Sequence, residues 1–305
     1  MIVLDSIFPV FGLIFLGVVL KRMHLTTDAF LSTSDRLVYF VFFPLMLFWK
    51  IGGAGTVTID WSLCAASLGA IVFIYGLSWF GIRTFKVTDY QAGTFSQSCY
   101  RFNTYIGMAV IINALGENAV GIFGILIGFI IPIVNLLAVT TLIWYSGKTV
   151  TAHDRNRLLI RALISNPLII GCVAGIFYAH IFRRFPVFVD NTLRLTSLVT
   201  LPLALLSIGG NLTFSNFKEY YKPSLLAAAI KLLALPAAGF FFLQLFRVTG
   251  LSLQVGMLFF ALPTSTAIFI LSSQLNSDIR LASAAIVIST LLGIFSLTLV
   301  LTLIA

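Results

Sequence analysis

Gln91-Ala-Gly-Thr-Phe-Ser-Gln97-Ser-Cys-Tyr100-Arg101-Phe-Asn103-Thr104-Tyr105-Ile-Gly107 is a polar stretch set inside a run that continues, largely apolar, to Leu115. At an offset of 163 residues, Gln91 and Gly93 fall on Gln254 and Gly256. At the same offset, the Arg101 to Asn103 stretch falls on Thr264 to Thr266, within Phe260-Ala-Leu-Pro263-Thr264-Ser265-Thr266. Two apolar runs therefore carry polar centres at matching places, and the fold depends on what surrounds them.

Those surroundings are lipid. Of 305 residues, 59% are hydrophobic and 10% are charged, with a mean hydropathy of +1.06. A globular domain carries about 25% charged residues because its surface is wet. At roughly 20 residues per helical span, ten spans take about 200 residues and leave about 100 for connections, too few for a folded extramembrane domain. Breaking the apolar runs at charge clusters predicts spans at 3 to 20, 36 to 52, 62 to 82, 91 to 115, 119 to 146, 162 to 180, 192 to 212, 224 to 246, 251 to 274 and 281 to 304. The first lacks the basic leading region and small-residue cleavage site of a secretory signal, and so reads as a span. The expected fold class is an all-α membrane protein with ten transmembrane helices.

Basic residues sort to one side of this arrangement. Alternate connections holding Lys21, Arg22, Arg36, Arg83, Lys86, Lys148, Arg155, Arg157, Arg161, Lys218, Lys222 and Arg280 carry twelve, against five in the opposite set, Lys50, Arg183, Arg184, Arg194 and Arg247. The positive-inside rule then places both termini outside the cytoplasm and the 147 to 161 connection within it. The net charge of +9 reports loop placement rather than a nucleic-acid partner, because no basic cluster is interleaved with aromatics in a wet segment. Cys64, Cys99 and Cys172 all fall in apolar stretches, which argues against a disulfide framework or a zinc spacing.

A second internal match extends the first. Arg36-Leu-Val-Tyr-Phe-Val-Phe-Phe-Pro44-Leu-Met-Leu47 lies over Arg194-Leu-Thr-Ser-Leu-Val-Thr-Leu-Pro202-Leu-Ala-Leu205 at a constant offset of 158. The expected domains are thus a first repeat at 1–146, a cytoplasmic connecting loop at 147–161 and a second repeat at 162–305. Five spans per half is an odd number, so the second half enters the membrane from the opposite face and the repeat is a 5+5 inverted one. Inverted repeats suit secondary transporters, whose two pseudo-symmetric halves offer one state open to each side around a site near the midplane.

The chemistry concentrates in the two polar centres. Arg101 lies about ten residues, or roughly 15 Å, from either end of its span, beyond comfortable snorkelling. All ten carboxylates of the chain lie in or beside connections. Either a substrate anion or helix carbonyls must answer the guanidinium, and both readings are open. Pro263 removes a backbone donor and clashes with the preceding turn, so the ninth helix breaks or kinks there. A break frees N–H groups at the positive end of the second half-helix, which attracts an anion. A kink relieved by Thr and Ser hydroxyls is the alternative, and the repeat-related polar stretch favours two broken helices that cross at the midplane.

The candidate substrate-binding residues are accordingly Gln97, Arg101, Asn103, Thr104, Pro263, Thr264, Ser265 and Thr266, with Asn135 and Ser289 as candidates for cavity lining or for helix packing. Lys231, about two turns into the eighth span, reads as a snorkelling side chain. The 29 phenylalanines read as lipid-facing bulk, Asn166-Pro167 as a helix entry cap, and Gly12, Gly17, Gly52, Gly53, Gly209 and Gly210 as points of close helix approach. Enzymatic readings fail on inventory. The three histidines sit at or near span ends, no metal-ligand spacing or nucleophile motif occurs, and there is no Walker motif to make ATP a direct fuel.

Several short motifs, in order and spacing, resemble the auxin efflux carrier family in its prokaryotic form: Asn166-Pro-Leu-Ile-Ile-Gly171, Leu203-Ala-Leu-Leu-Ser-Ile-Gly-Gly-Asn-Leu212, Lys231-Leu-Leu-Ala-Leu-Pro236, Ala261-Leu-Pro-Thr-Ser-Thr266 and Ser289-Thr-Leu-Leu292. The similarity runs over nearly the whole chain. It implies crossed fourth and ninth helices in a transport domain (about 62–146 and 224–304) and a scaffold (about 3–52 and 162–212) that forms a homodimer interface. It also implies carriage of a small organic carboxylate, as in the family's malonate and malate permeases, by an elevator-type displacement in a bacterial inner membrane. Asn103 matches the polar residue of the first crossover, and Pro263 with Thr264 the second. Members of the family usually carry a proline near the first crossover where this chain has Met108 and Ala109, which implies a less sharply broken fourth helix.

No cofactor is expected, and the coupling ion, proton or sodium, is left open. The nearest alternative is a sodium-coupled organic anion symporter of the bile acid transporter type. An anion channel and a non-transporting membrane sensor are more distant, and a sodium/proton antiporter normally needs a membrane-embedded carboxylate.

Overall fold

In hydrocarbon every backbone N–H and C=O must be met from within the chain, and for apolar runs of this length the helix is the element that does so. The computed structural model describes residues 2–54, 59–146, 166–182, 184–212 and 217–304, and every regular element among them is helical. The expected 147–161 connection with Lys148, Arg155, Arg157 and Arg161, the start of the second repeat at 162–165, Arg183 and the Lys218 side chain lie outside the described residues.

The helices are α1 (Ile2–Arg22), α2 (Asp28–Leu37), α3 (Phe43–Gly52), α4 (Trp61–Thr84), α5 (Asp89–Tyr100), α6 (Thr104–Leu115), α7 (Glu117–Tyr145), α8 (Pro167–Ile181), α9 (Val187–Gly210), α10 (Phe217–Ala229), α11 (Leu235–Leu245), α12 (Gly250–Ala261), α13 (Ala267–Gln274) and α14 (Ile279–Ile304). Seven continuous segments among the described residues are long and apolar enough to cross a bilayer. They fall on the first, second, third, fifth, seventh, eighth and tenth expected spans. The fourth and ninth spans are each split in two, as α5 with α6 and α12 with α13, and of the sixth the residues Pro167–Ile181 are described. Asn166 caps α8 as its sequence suggests, its side chain accepting from the Leu168 N–H at 3.0 Å with Pro167 in the first turn.

Two spans are continuous only by way of a π-helical turn, Val38–Phe42 between α2 and α3 and Ile230–Ala234 between α10 and α11. Each turn sits just before a proline, Pro44 or Pro236. Proline lacks the N–H that would bond four residues back and its ring presses on that carbonyl, and a wider turn absorbs both defects. The Leu232 carbonyl, which Pro236 leaves without its helical donor, takes the Ser296 hydroxyl of α14 at 2.9 Å.

Packing pairs helices from the two halves. α1 lies on α9, α3 on α8 and α4 on α11, while α5 packs on α7, and α12 and α13 pack on α14. Polar ties reinforce the first group: Trp49 Nε1 donates to Asp190 at 2.7 Å, and Asp35 accepts from the Ser207 hydroxyl at 2.6 Å and from Asn211 Nδ2 at 2.9 Å. The phenylalanines divide between lipid and core. Phe8, Phe15 and Phe295 are exposed, but Phe43, Phe95, Phe123, Phe259 and Phe260 are fully buried, which corrects their reading as lipid-facing bulk alone.

Close approach is needed at fewer glycines than expected. A Cβ at Gly17 would fall on the Leu206 carbonyl oxygen and one at Gly209 on that of Ile14, so α1 and α9 touch backbone to backbone, whereas Gly12 faces open space. Gly209→Ala should therefore lower stability by about 1–3 kcal/mol through overpacking. Gly12→Ala should leave it at or above the parent, because alanine is the better helix former. Denaturation midpoints in one detergent distinguish the two.

Candidate substrate site

The interruptions in the fourth and ninth spans meet. Arg101, Phe102 and Asn103 separate α5 from α6, and Leu262 to Thr266 separate α12 from α13. Arg101 (φ −67°, ψ 151°) and Leu262 (φ −62°, ψ 143°) are extended, so both helices stop outright rather than bend. The Asn103 N–H donates to the Pro263 carbonyl at 2.9 Å, binding one break to the other, and the Phe102 ring packs edge-on against Phe259 at 4.5 Å.

The missing proline does not soften the first break. Asn103 caps α6, its Oδ1 accepting from the Tyr105 and Ile106 N–H groups at 3.1 Å each. With the side chain meeting two orphan donors and Pro263 meeting its own N–H, asparagine achieves what a proline achieves in the second break. The N-cap residues of the two second half-helices are Asn103 and Thr266, at the 163-residue offset of the internal match. In the second break Ser265 Oγ accepts from the Ala267 N–H at 3.2 Å, and the Thr264 N–H donates to Ser289 Oγ of α14 at 2.8 Å.

Around this junction polar groups are buried in number. Arg101 is 8% exposed, its Nη1 has no hydrogen-bond partner, and the phenols of Tyr39 and Tyr100 lie in its electrostatic range. The two ion pairs among the described residues, Lys21–Asp28 and Lys50–Glu117, lie elsewhere. Thr264 Oγ1, Thr290 Oγ1 and Gln97 Oε1 are likewise buried and unpartnered. Gln97 Nε2 donates to Ser272 Oγ of α13 at 3.0 Å, and Thr94 Oγ1 bonds the Ser272 and Ser277 hydroxyls at 2.7 and 2.9 Å. A buried donor without a partner costs free energy, so the guanidinium and the unpartnered hydroxyls of this junction suit an acceptor-rich guest.

The structure thus brings together Gln97, Arg101, Asn103, Pro263, Thr264, Ser265, Thr266 and Ser289. Thr104 begins α6 half-buried beside them, while Asn135 is buried on α7 apart from these bonds. Thr290, like Ser289, reads from sequence as a cavity-lining or packing hydroxyl, whereas Tyr100 and Ser272 were not singled out, since one small hydroxyl and one tyrosine within a membrane span carry no distinctive signal. Lys231 is corrected. Its side chain is 0% exposed and its Nζ donates to the Phe260 carbonyl near the end of α12 at 3.2 Å. Snorkelling assumed a span beginning at 224, but the helix begins at Phe217, which leaves Lys231 near mid-span.

The model of the membrane transport protein family matches residues 2–301. The chain belongs to this family, the auxin efflux carriers. An uncharacterized transporter of Methanocaldococcus jannaschii, MJ1031, is similar to it at 22% identity over 262 residues, covering 85% of this chain and 77% of that protein. Membership makes the chain a multi-span membrane transport protein, and the paired breaks are the place where this auxin efflux carrier family member interrupts its membrane helices.

The cap gives a test of the first break. Asn103→Ala should cost about 0.5–2 kcal/mol, the usual loss for an N-cap, while Asn103→Ser, which keeps a capping oxygen, should recover most of it. Thermal unfolding of the purified protein reads both.

Proposed function

We propose that this chain is a secondary transporter of small organic carboxylate anions that works by elevator-type alternating access. The observation that carries the reading is the Arg101 guanidinium, buried with a free Nη1 beside two joined helix breaks, the second of which carries the unpartnered Thr264 hydroxyl. An anion there gains charge-assisted hydrogen bonds from Arg101 and the dipoles of α6 and α13, whose positive ends face the junction. Gln97, Asn103, Thr264 and Thr266 orient it, and Thr104, Pro263 and Ser265 shape the two breaks around it.

Ten spans in a 5+5 inverted repeat fit this reading. The pairing of α1 with α9 is the repeat-related counterpart of α3 with α8, and the N-caps Asn103 and Thr266 share one offset. We assign 1–146 and 162–305 as the repeats. α1 to α3 with α8 and α9 form the scaffold, through which two copies associate, and the helices of 62–146 and 224–304 form the moving domain. The bias of basic residues supports both termini lying outside the cytoplasm, and the family resemblance supports an inner membrane. The role is transport, not catalysis.

Counterflow of malonate, malate and indole acids in proteoliposomes tests the proposal. The parent should carry at least one, and Arg101→Ala should raise its half-saturation concentration about 10-fold or more, the worth of one charge-assisted hydrogen bond. Unchanged affinity for every carboxylate the parent carries would remove Arg101 from the site. Saturable binding without flux would make the chain a sensor, and currents above carrier turnover would make it a channel.

A further inference from the structure

Lys231 is the second cation buried at the junction, and the anion site does not use it. Among the described residues neither ion pair involves it, and its recorded hydrogen bond goes to a backbone carbonyl, that of Phe260. From Glu219 to Lys231 is 12 residues and from Lys231 to Leu245 is 14, so the ammonium sits about 18 Å along the helix from the start of a 27-residue span. Water is out of reach from there, and an isolated ammonium in hydrocarbon is costly.

What surrounds it is the negative end of two dipoles. The π-helical turn Ile230–Ala234 packs against both α5 and α12, and the Cys99 thiol of α5, one residue before that helix ends, lies in the electrostatic range of Lys231. The last turns of α5 and α12 leave carbonyls without helical donors, and each helix end carries about half a negative charge. Two such ends amount to about one negative charge, which one ammonium balances. Oxygen atoms gathered at a broken helix end are the ligand type that a hard cation such as sodium takes.

We propose that the Lys231 ammonium is the resident cation of the junction, holding the carboxyl ends of α5 and α12 where a soluble sodium ion would otherwise be required, so that this transporter works without sodium. Lys231 is a positioning residue: Arg101 and the amino ends of α6 and α13 meet the substrate, while Lys231 holds the opposite ends together. This deepens the carrier reading and rests on it only for flux, because the stability of the junction is measurable without any substrate.

The experiment compares the parent protein with Lys231→Met, Lys231→Arg and Lys231→Ala in sodium, potassium or choline chloride of equal ionic strength. The parent should melt at one temperature in all three salts. Lys231→Met, similar in length but neutral, should melt about 5 °C or more lower, and Lys231→Arg should recover most of the loss. Ethylammonium should stabilise Lys231→Ala and leave the parent unmoved, which a role in packing alone does not give. In proteoliposomes the parent's carboxylate flux should persist in choline, and that of Lys231→Met should fall at least 10-fold. A parent stabilised by sodium or dependent on it for flux would overturn the proposal. So would a Lys231→Met protein with parental stability and flux, or a Lys231→Ala protein indifferent to ethylammonium. Should the neutral variants fail to fold in every salt, the parent's response to sodium still decides. Should no carboxylate be carried by the parent, the anion reading falls while the stability comparison stands.

Discussion

A single backbone hydrogen bond, from the Asn103 N–H to the Pro263 carbonyl, holds the arrangement together. In hydrocarbon an interrupted helix exposes donors at one end and acceptors at the other, each costing several kcal/mol if left unmet. Two interruptions placed against each other reduce that cost mutually, and neither is tolerable alone. The Asn103 cap, the bond from Thr264 to Ser289 and the Lys231 bond to Phe260 complete what the shared bond begins.

The charges follow from the same geometry. Arg101 and Lys231 are both deeply buried, and the carboxylates that take part in ion pairs among the described residues are elsewhere. Broken helices supply separate electrostatic partners: carboxyl ends that attract a cation and amino ends that attract an anion. In our proposal the first partner is built into the chain and the second arrives as cargo.

The rest of the molecule frames this junction. Backbone contact at Gly17 and Gly209, the ties of Asp35 to Ser207 and Asn211, and the Trp49 bond to Asp190 join helices of the two halves into one firm group. The junction is instead held by hydroxyls and single bonds, with buried donors left unmatched. That contrast, firm on one side and incompletely satisfied on the other, fits the proposed division into scaffold and moving domain that the family resemblance implies.

Composition alone determined the solvent, and apolar run lengths with charged punctuation located the seven continuous spans among the described residues to within eight residues at their ends. The polar centres at 91–107 and 260–266 were legible too, because polar groups placed mid-span demand a protein-facing or wet environment. The class of Asn103 as a crossover residue was legible, but the completeness of its break was not. Asparagine ends a helix only when its own N–H has somewhere to go, and Pro263 lies 160 residues away in the chain. Lys231 was misjudged for a similar reason. A regular helix beginning at 224 puts it near water, whereas a helix from Phe217 with a π-helical turn before Pro236 puts it at the carboxyl end of α12. Periodicity and hydropathy record what each residue prefers locally. Which carbonyl a buried donor finds is settled only when distant segments pack, and in this protein that pairing decides the chemistry.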